Sequence, residues 1–546
     1  MRPFSHGWIS LLIVPLVYAI SAGSCHPAPR SDSGRFEDIT RRAGLAFVHQ
    51  FCHNRIANIL LSNGAGGAVL DFDNDGFVDI FLVNWGPLAG VTSASDRSER
   101  APDRLYRNRG DGTFEDVTTL AGLEGAGFSS SATAGDFDGD GYEDLFVVTV
   151  GRSALYRNRG DGTFEDVTDR SGVGHVGTGI AAAFLDIDRD GFLDLFLANY
   201  LTFDPATVSE QNPGAYPGPL AYPGEPNTLY RNRGDGTFAD VSEQSGIKRA
   251  GHRAMSVTPF DHDWDGDTDI YVSNDDTPNA LWFNDGTGHF HDVAVDLGVA
   301  FNSIGEAPGS MNASVGDVNG DGLVDLFITR LGYGSLYVQE AKGRFKDRMW
   351  ASGLGRLTRD FTGWGGSLVD FDNDGDLDLV IANGDVFTRV GSRSLLLANK
   401  GDGSFLDAST EGGEFFARKI PGRGSCVLDH DNDGRLDLLV TTLGGPAVLL
   451  GNQGATQHWL TLDLVGSRSN RDGFGALVTM RANGREWRAE ALCPTGFLIQ
   501  GDRRLHFGLG PYSRIDSLSV RWPSGRTRVL ENVAADRILK VSEPAH

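Results

Sequence analysis

Cysteine is scarce in this chain, four residues in 546, which excludes a disulfide scaffold. The fold has to rest on its core and on whatever ions it holds. Basic charge is also short: 48 Lys and Arg face 73 Asp and Glu, a formal net charge of −25. With no basic stripe to neutralise phosphates, nucleic acid is excluded as a partner. HExxH, GxSxG and any unpaired acidic dyad outside the loops described below are missing, and with them the usual signatures of metalloproteases and serine hydrolases. Long apolar runs are missing too, since the run from Trp8 to Ile20 is too short to span a bilayer comfortably.

That run follows an early Arg2 and ends in the small residues Ala22-Gly23-Ser24, the flanks of a cleaved secretory signal over residues 1–24. The chain is therefore expected to be exported. Cys25 after Gly-Ser resembles a bacterial lipoprotein box, although Ala22 stands where Leu is usual. Ala-x-Ser also suits an ordinary signal peptidase, so membrane anchoring through a lipidated Cys25 and free secretion are both open. Residues 25–34 read as a linker.

What the chain has in abundance is aspartate in one repeated pattern. D-x-[DN]-x-D-G-x-x-D begins at Asp71 and recurs at Asp136, Asp186, Asp261, Asp317, Asp370 and Asp429. Carboxylates at positions one, three and five converge when the backbone curls around a cation, Gly at six permits the sharp turn, and the carboxylate at nine closes the cage. Such hard oxygen ligands suit Ca²⁺ rather than zinc or copper. The expected ligands are Asp71, Asp73, Asp75 and Asp79; Asp136, Asp138, Asp140 and Asp144; Asp186, Asp188, Asp190 and Asp194; Asp261, Asp263, Asp265 and Asp269; Asp317, Asn319, Asp321 and Asp325; Asp370, Asp372, Asp374 and Asp378; and Asp429, Asp431, Asp433 and Asp437. About seven structural Ca²⁺ ions would offset roughly half of the net charge. An EF-hand uses similar spacing but needs flanking helices and a carboxylate at twelve. Here the flanks, such as Gly64 to Leu70 and Ile80 to Asn84, read as buried strands.

A second signature follows each loop. Leu105-Tyr106-Arg107-Asn108-Arg109-Gly110-Asp111-Gly112-Thr113-Phe114-Glu115-Asp116-Val117-Thr118 returns almost letter for letter at 155–168 and 229–242, with looser copies near 281, 336 and 396. Strand, Asn-x-Gly-Asp-Gly turn and strand make a hairpin. Each unit is thus four strands at a base period near 50, the mark of a propeller blade. The Arg-Gly-Asp triplets at 109, 159 and 233 lie inside these turns and are read as turn residues, not as an adhesion motif. The last loop has no Phe-x-Asp strand after it, whereas Arg35-Phe36-Glu37-Asp38-Ile39-Thr40 precedes the first. That segment is expected to supply the outer strand of the final blade, near Leu449 to Asn452, and so remove an open edge. The expected fold is all-β, a seven-bladed β-propeller over 35–452 followed by a small all-β domain over 456–543.

These loops and hairpins resemble the FG-GAP/VCBS repeats of integrin α-subunit propellers and of many bacterial exported proteins. The resemblance implies that the D-x-D-x-D-G-x-x-D carboxylates bind Ca²⁺ as part of the fold. On it, the site beginning at Asp317, with Asn319, is expected to be among the weakest, and Asp267 and Asp376 add charge at position seven. After Gly454 the segments around Asn470-Arg471-Asp472-Gly473-Phe474-Gly475, Leu505 to Gly510 and Ser519 to Gly525 resemble the ASPIC/UnbV domain, and the pairing resembles the cartilage acidic protein family. Cys493-Pro494 departs from the small or polar residues usual there.

For function, the expectation is an extracellular or cell-surface binding module with a protein or glycan ligand, and no catalytic residues are assigned. The alternative is a carbohydrate-active enzyme working on the propeller face, where His175, His252 and Arg253 would fall. The Pro- and Tyr-rich insertion at 203–226 is the foremost candidate for ligand contact. The stretch Phe51 to Leu60, with His49 and His53, is a weaker one.

Overall fold

The computed structural model describes residues 34–50, 56–88, 90–92, 102–125, 127–208, 216–455 and 457–545. The expected signal segment, Cys25, most of the linker, Phe51, Cys52, His53 and the 209–215 part of the insertion lie outside these residues. The chain is all-β, and its strands form seven successive four-stranded units, consistent with the expected seven blades. In each unit an inner strand A runs through an acidic loop into strand B, then C, then an outer strand D. The A strands are Gly67–Leu70, Phe128–Gly135, Val176–Leu185, Ala254–Phe260, Ser310–Gly316, Gly363–Val369 and Gly422–Leu428. They are rich in Gly, Ala and Ser because they crowd around one axis. The B strands, such as Asp79–Leu82 and Asp194–Asn199, are buried throughout. They read as continuous apolar runs because neighbouring blades cover both of their faces.

The borrowed strand is where it was expected. Phe36–Asp38 pairs antiparallel with Val448–Asn452, Phe36 opposite Asn452 and Asp38 opposite Leu450. N- and C-terminal parts of the propeller thereby share one sheet.

The antiparallel order places every A–B loop and C–D turn at one end of the ring, the loop face, and every B–C and D–A connection at the other. Residues 458–542 form two further sheets, one of three strands and one of four, around Leu460, Leu462, Val478, Met480, Leu518, Val520 and Trp522. This module covers the loop face and sends one arm into the ring. Ile499–Gln500 adds to strand A of the first blade in parallel register, Gly67 opposite Ile499. The arm also meets the second blade through Gln500, the fourth through Thr495 on the Val257 carbonyl, and the sixth through Phe497 against Trp364, 5.1 Å between ring centres. Asp502 N–H donates to the Val427 carbonyl of the seventh at 3.0 Å. The arm therefore lies along the propeller axis. Cys493 belongs to it: its thiol contacts Thr133 Oγ1 and donates to Gln500 Oε1, and burial pushes its pKa up to about 12. It is a packed, unreactive thiol.

Gln500 Oε1 accepts from Thr133 Oγ1 at 2.5 Å and Ala134 N–H at 2.9 Å, while Nε2 donates to the Ala134 carbonyl at 3.2 Å. Gln500→Leu leaves these buried groups unpaired and should cost about 2–4 kcal/mol, measured by urea unfolding of the full chain. A loss below about 0.5 kcal/mol would show that the arm does not hold the ring.

Candidate functional site

The seven acidic loops share one internal wiring. The carboxylate at position one accepts from the N–H groups of positions five and six: Asp71 from Asp75 and Gly76, Asp186 from Asp190 and Gly191, Asp429 from Asp433 and Gly434. The carboxylate at five accepts from the N–H of seven, as Asp75 does from Phe77 and Asp321 from Leu323. Two positions in each loop have positive φ. Position six is always Gly, at φ 79–100°. Position four is Asn74, Gly139, Arg189, Trp264, Gly320, Asn373 or Asn432 at φ 57–74°, a demand that the Asp pattern does not announce. Arg189 and Trp264 meet it with side chains that disfavour it.

Ligand atoms of Asp71, Asp73 and Asp79 lie within 4.8 Å of one another, as do those of Asp136, Asp138 and Asp144, and of Asp186, Asp188 and Asp194. In the fourth loop Asp261, Asp263 and Asp265 converge, and in the seventh His430 joins Asp431 and Asp437. Position three shows what these clusters fit. One oxygen of Asp73 meets Arg107 at 2.5 Å and one of Asp188 meets Arg231 at 2.6 Å, while Asp263 stands 3.9 Å from Lys342. The other oxygen of each is buried and has no hydrogen-bond partner. An inward, orphaned carboxylate oxygen beside two more carboxylates suits a hard divalent cation. The electrostatics agree: burial, then repulsion among the carboxylates, raises the pKa of Asp71 to about 6, Asp136 and Asp186 to about 7, Asp370 to about 8, and Asp79 and Asp378 to about 9. In the fifth loop Asn319 turns its amide to Asp321 Oδ2 at 3.0 Å.

Position nine does more than close a cage. Its carboxylate accepts one N–H from position two of its own loop and one from a residue in strand C, in all seven blades; that residue ends the strand in six of them and lies two residues before the end in the fifth. Asp79 takes Phe72 and Asn108; Asp325 takes Val318 and Gln339. The side-chain amide of that strand-C residue then reaches across the seam to the position-two carbonyl of the preceding blade. Asn158 reaches Phe72, Asn232 Phe137, Asn284 Ile187, Gln339 His262, Asn399 Val318 and Asn452 Phe371, and Asn108 reaches His430 to close the circle, all at 2.7–2.9 Å. Sequence reading treated these asparagines as turn residues. Their signal was present, an amide residue at or near the end of strand C in every copy, including Gln339 in the blade where Asn is replaced. His262 and His430, also missed, sit at position two and hold Asp269 and Asp437 through Nδ1, each at 2.5 Å.

The extra acids at position seven turn outward. Asp267 pairs with Arg189 of the preceding blade's loop at 3.0 Å, and Asp376 with Arg485 of the C-terminal module at 2.7 Å. That module carries 13 Lys and Arg against nine Asp and Glu over 456–546, opposite in sign to the surface it covers. A Cβ at the position-six glycine would lie 2.9 Å from Arg485 at Gly375, 2.9 Å from Arg521 at Gly266, and 3.7 Å from Arg471 at Gly141 and from Arg488 at Gly322. Gly191 meets the Arg468 carbonyl and Gly434 the Trp459 ring, whereas Gly76 is open. Arg503, buried in this interface, pairs with Glu143 of the propeller and Asp463 of the module, both at 3.0 Å.

The opposite face is built from the remaining candidates. Arg253 is a tether: it donates to the Pro219 carbonyl at 2.9 Å and the Tyr222 carbonyl at 2.6 Å. His175 meets Glu225 at 3.1 Å, and His252 meets Asn274 at 3.3 Å. Tyr216 donates to the Val386 carbonyl at 3.0 Å and packs on Phe387, so the blade-three insertion crosses to blade six. Beneath it Arg423 is fully buried over Trp364 and donates to the Ser62, Gly422 and Asp385 carbonyls. His49 is buried and held neutral, its pKa lowered to about 3 by burial and by Arg423. It accepts from Gly444 N–H at 3.0 Å, a packing role.

Fold and loops together define a β-propeller of acidic, cation-type loops, capped on its loop face by a C-terminal module. The FG-GAP-like repeat model matches residues 71–147, 136–197, 220–272, 265–328 and 317–381, and the ASPIC and UnbV model matches 466–546. The chain belongs to the FG-GAP-like repeat family and carries an ASPIC/UnbV domain. It is related to cartilage acidic protein 1, with 29% identity to the Homo sapiens protein over 58% of this chain and 48% of that one, and 28% to the Mus musculus protein over 58% and 49%. The match thus spans about half the length of these curated relatives. Among solved structures, a lectin from Agrocybe aegerita that recognises non-reducing terminal N-acetylglucosamine aligns at TM-score 0.40 and 17% identity, over 69% of this chain and 85% of that one. The exotype rhamnogalacturonan lyase YesX aligns at 0.37 and 14%, over 72% of each. Likenesses this distant speak to neither site nor ligand.

The raised carboxylate pKa values set a pH dependence. Without a divalent cation the folded chain holds protons that the unfolded chain, titrating near 3.8, has released. Stability in chelator should therefore fall as pH rises from 5 to 8, and a saturating divalent cation, which replaces those protons, should flatten or reverse the slope. Urea unfolding across that range reads it directly; stability that rises with pH in chelator would contradict the assignment.

Proposed function

We propose that this chain is an exported, calcium-loaded propeller acting outside the cell as a binding module, and that it binds through the face opposite its C-terminal module. One observation carries the choice of face. Of fourteen exposed large hydrophobic side chains among the described residues, eleven sit in connections or strand starts at that end, among them Val208, Leu220, Ile304, Leu331, Trp350, Phe387 and Val390. The other three are Phe192 in an acidic loop, Leu406 in an outer strand and Val529 in the module. Apolar surface gathered on one face marks an interaction site, and the loop face is covered.

The all-oxygen ligand sets and the orphaned oxygens of Asp73, Asp188 and Asp263 favour Ca²⁺, one ion per loop. The ninth carboxylate is bound into the belt between blades, so the ion serves the fold rather than chemistry. Ca²⁺ at extracellular levels would keep even weak sites filled. The ligand is a protein or a glycan, and a lipid on Cys25 would tether the module to a membrane. The polar groups that an enzyme would need on this face, His175, Arg253 and Arg423, are engaged in holding backbone and the insertion.

Two measurements on the purified chain test this. Calcium bound per chain should approach seven with a Ca²⁺-specific rise in Tm over Mg²⁺ and EGTA. Binding to a panel of immobilised extracellular polysaccharides and matrix proteins should be lost in Leu220→Glu and Phe387→Glu and kept in Val529→Glu. Few ions with an unchanged Tm would sink the calcium reading; binding lost only in Val529→Glu would move the ligand to the module.

A further inference from the structure

On the free face, blades five and six bring together a row of aromatic and guanidinium groups. Leu331 forms a bridge with Thr362, and Gly332 N–H donates to the Phe361 carbonyl at 2.9 Å, so the two connections form one surface. Trp350 is 50% exposed. A Cβ on Gly355 would fall 2.7 Å from its ring, so the indole lies flat on a glycine, with no side chain between ring and backbone. Tyr333 stands beside it, ring centres 5.2 Å apart and the rings tilted by 53°, and Arg330 lies near Tyr333 with Cζ 5.6 Å from the ring centre.

Arg330 is the unusual member. Its Nε and Nη1 are buried without a hydrogen-bond partner, and its charge pulls on the nearby Asp276 carboxylate. Buried guanidinium donors left without an acceptor suit an oxyanion, a carboxylate before all. A flat, half-exposed indole offers the other half of a recognition chemistry, since the C–H face of a pyranose packs on such a ring.

We propose that Trp350, Tyr333 and Arg330 form a subsite for an acidic saccharide, the sugar ring packing on Trp350 and Tyr333 and its carboxylate meeting Arg330. The inference rests on the assignment of this face as the binding face and names the class of ligand that one part of it takes. An acidic peptide would satisfy Arg330 but has no flat apolar ring face for Trp350. The row of aromatic then cationic groups therefore favours the sugar.

The test is calorimetric titration of the full-length, Ca²⁺-loaded chain with three probes: a trisaccharide containing glucuronate, its uncharged methyl ester, and hexaglutamate. The acid trisaccharide should bind, the ester about tenfold more weakly or worse, and hexaglutamate should not compete. Trp350→Ala and Arg330→Gln should each weaken the acid trisaccharide about tenfold or more with Tm unchanged. Arg330→Gln should leave the ester unaffected, which a general loss of structure would not do. Undiminished binding in either variant, equal affinity for acid and ester, competition by hexaglutamate, or no binding of the trisaccharide would each overturn the proposal. If the Leu220→Glu and Phe387→Glu variants still abolish polymer binding in that event, the face assignment stands and only the subsite falls.

Discussion

The ring depends on a circle of buried amides. Each asparagine, or Gln339, at or near the end of strand C bonds the position-two carbonyl of the preceding acidic loop, while its backbone N–H is held by the ninth carboxylate of its own loop. Both partners are buried in six of the seven contacts and Asn399 is half-buried, so breaking a buried contact costs the desolvation of groups left unpaired, about 1–3 kcal/mol each. A loop that loses its shape therefore loosens its own blade and the seam to the next. The carboxylates repel one another in that geometry, and the cation proposed for each loop would reconcile them. Such an ion and the belt would act on the same residues, so the proposal couples occupancy of the loops to closure of the ring.

The C-terminal module extends that logic to the axis. The outer edge of the ring is closed by Phe36–Asp38. At the centre, Ile499–Gln500 adds to the first blade beside the seventh and is wired to the second through Gln500. Basic side chains of the module rest on acidic loops, and the position-six glycines leave room for them. One face of the propeller is consumed in this way. The other keeps its exposed apolar and aromatic side chains, and the insertion at 203–226 is fixed across it by Arg253 and Tyr216. Division of labour between the faces follows from which one the module covers.

Much of this was legible in the sequence because the repeats state it many times over. Seven acidic loops, six Phe-x-Asp hairpins and a stray Phe-x-Asp segment at Phe36 imply the architecture and the way it closes. What stayed hidden is contact between positions far apart in the chain. Asn158 reads as a turn residue, and its partner Phe72 belongs to another blade. Cys493-Pro494 stands out only as a departure from a pattern, yet it opens the arm that fills the axis. Arg253 and His49 look like face-lining chemistry until burial shows each holding backbone. The positive φ at position four is masked because Arg189 and Trp264 adopt it without the usual Asn or Gly.

The coupling of loops and belt is open to one direct measurement: hydrogen–deuterium exchange of the full chain with Ca²⁺ and with chelator, read at the N–H groups of Asn108, Asn158, Asn232, Asn284, Gln339, Asn399 and Asn452. The account predicts that chelation raises exchange at all seven together, with the Gly67 and Ala68 seam to Ile499 opening alongside them. Exchange that rises in the acidic loops while these seven amides and the seam keep their protection would contradict it, because ion and ring would then be independent.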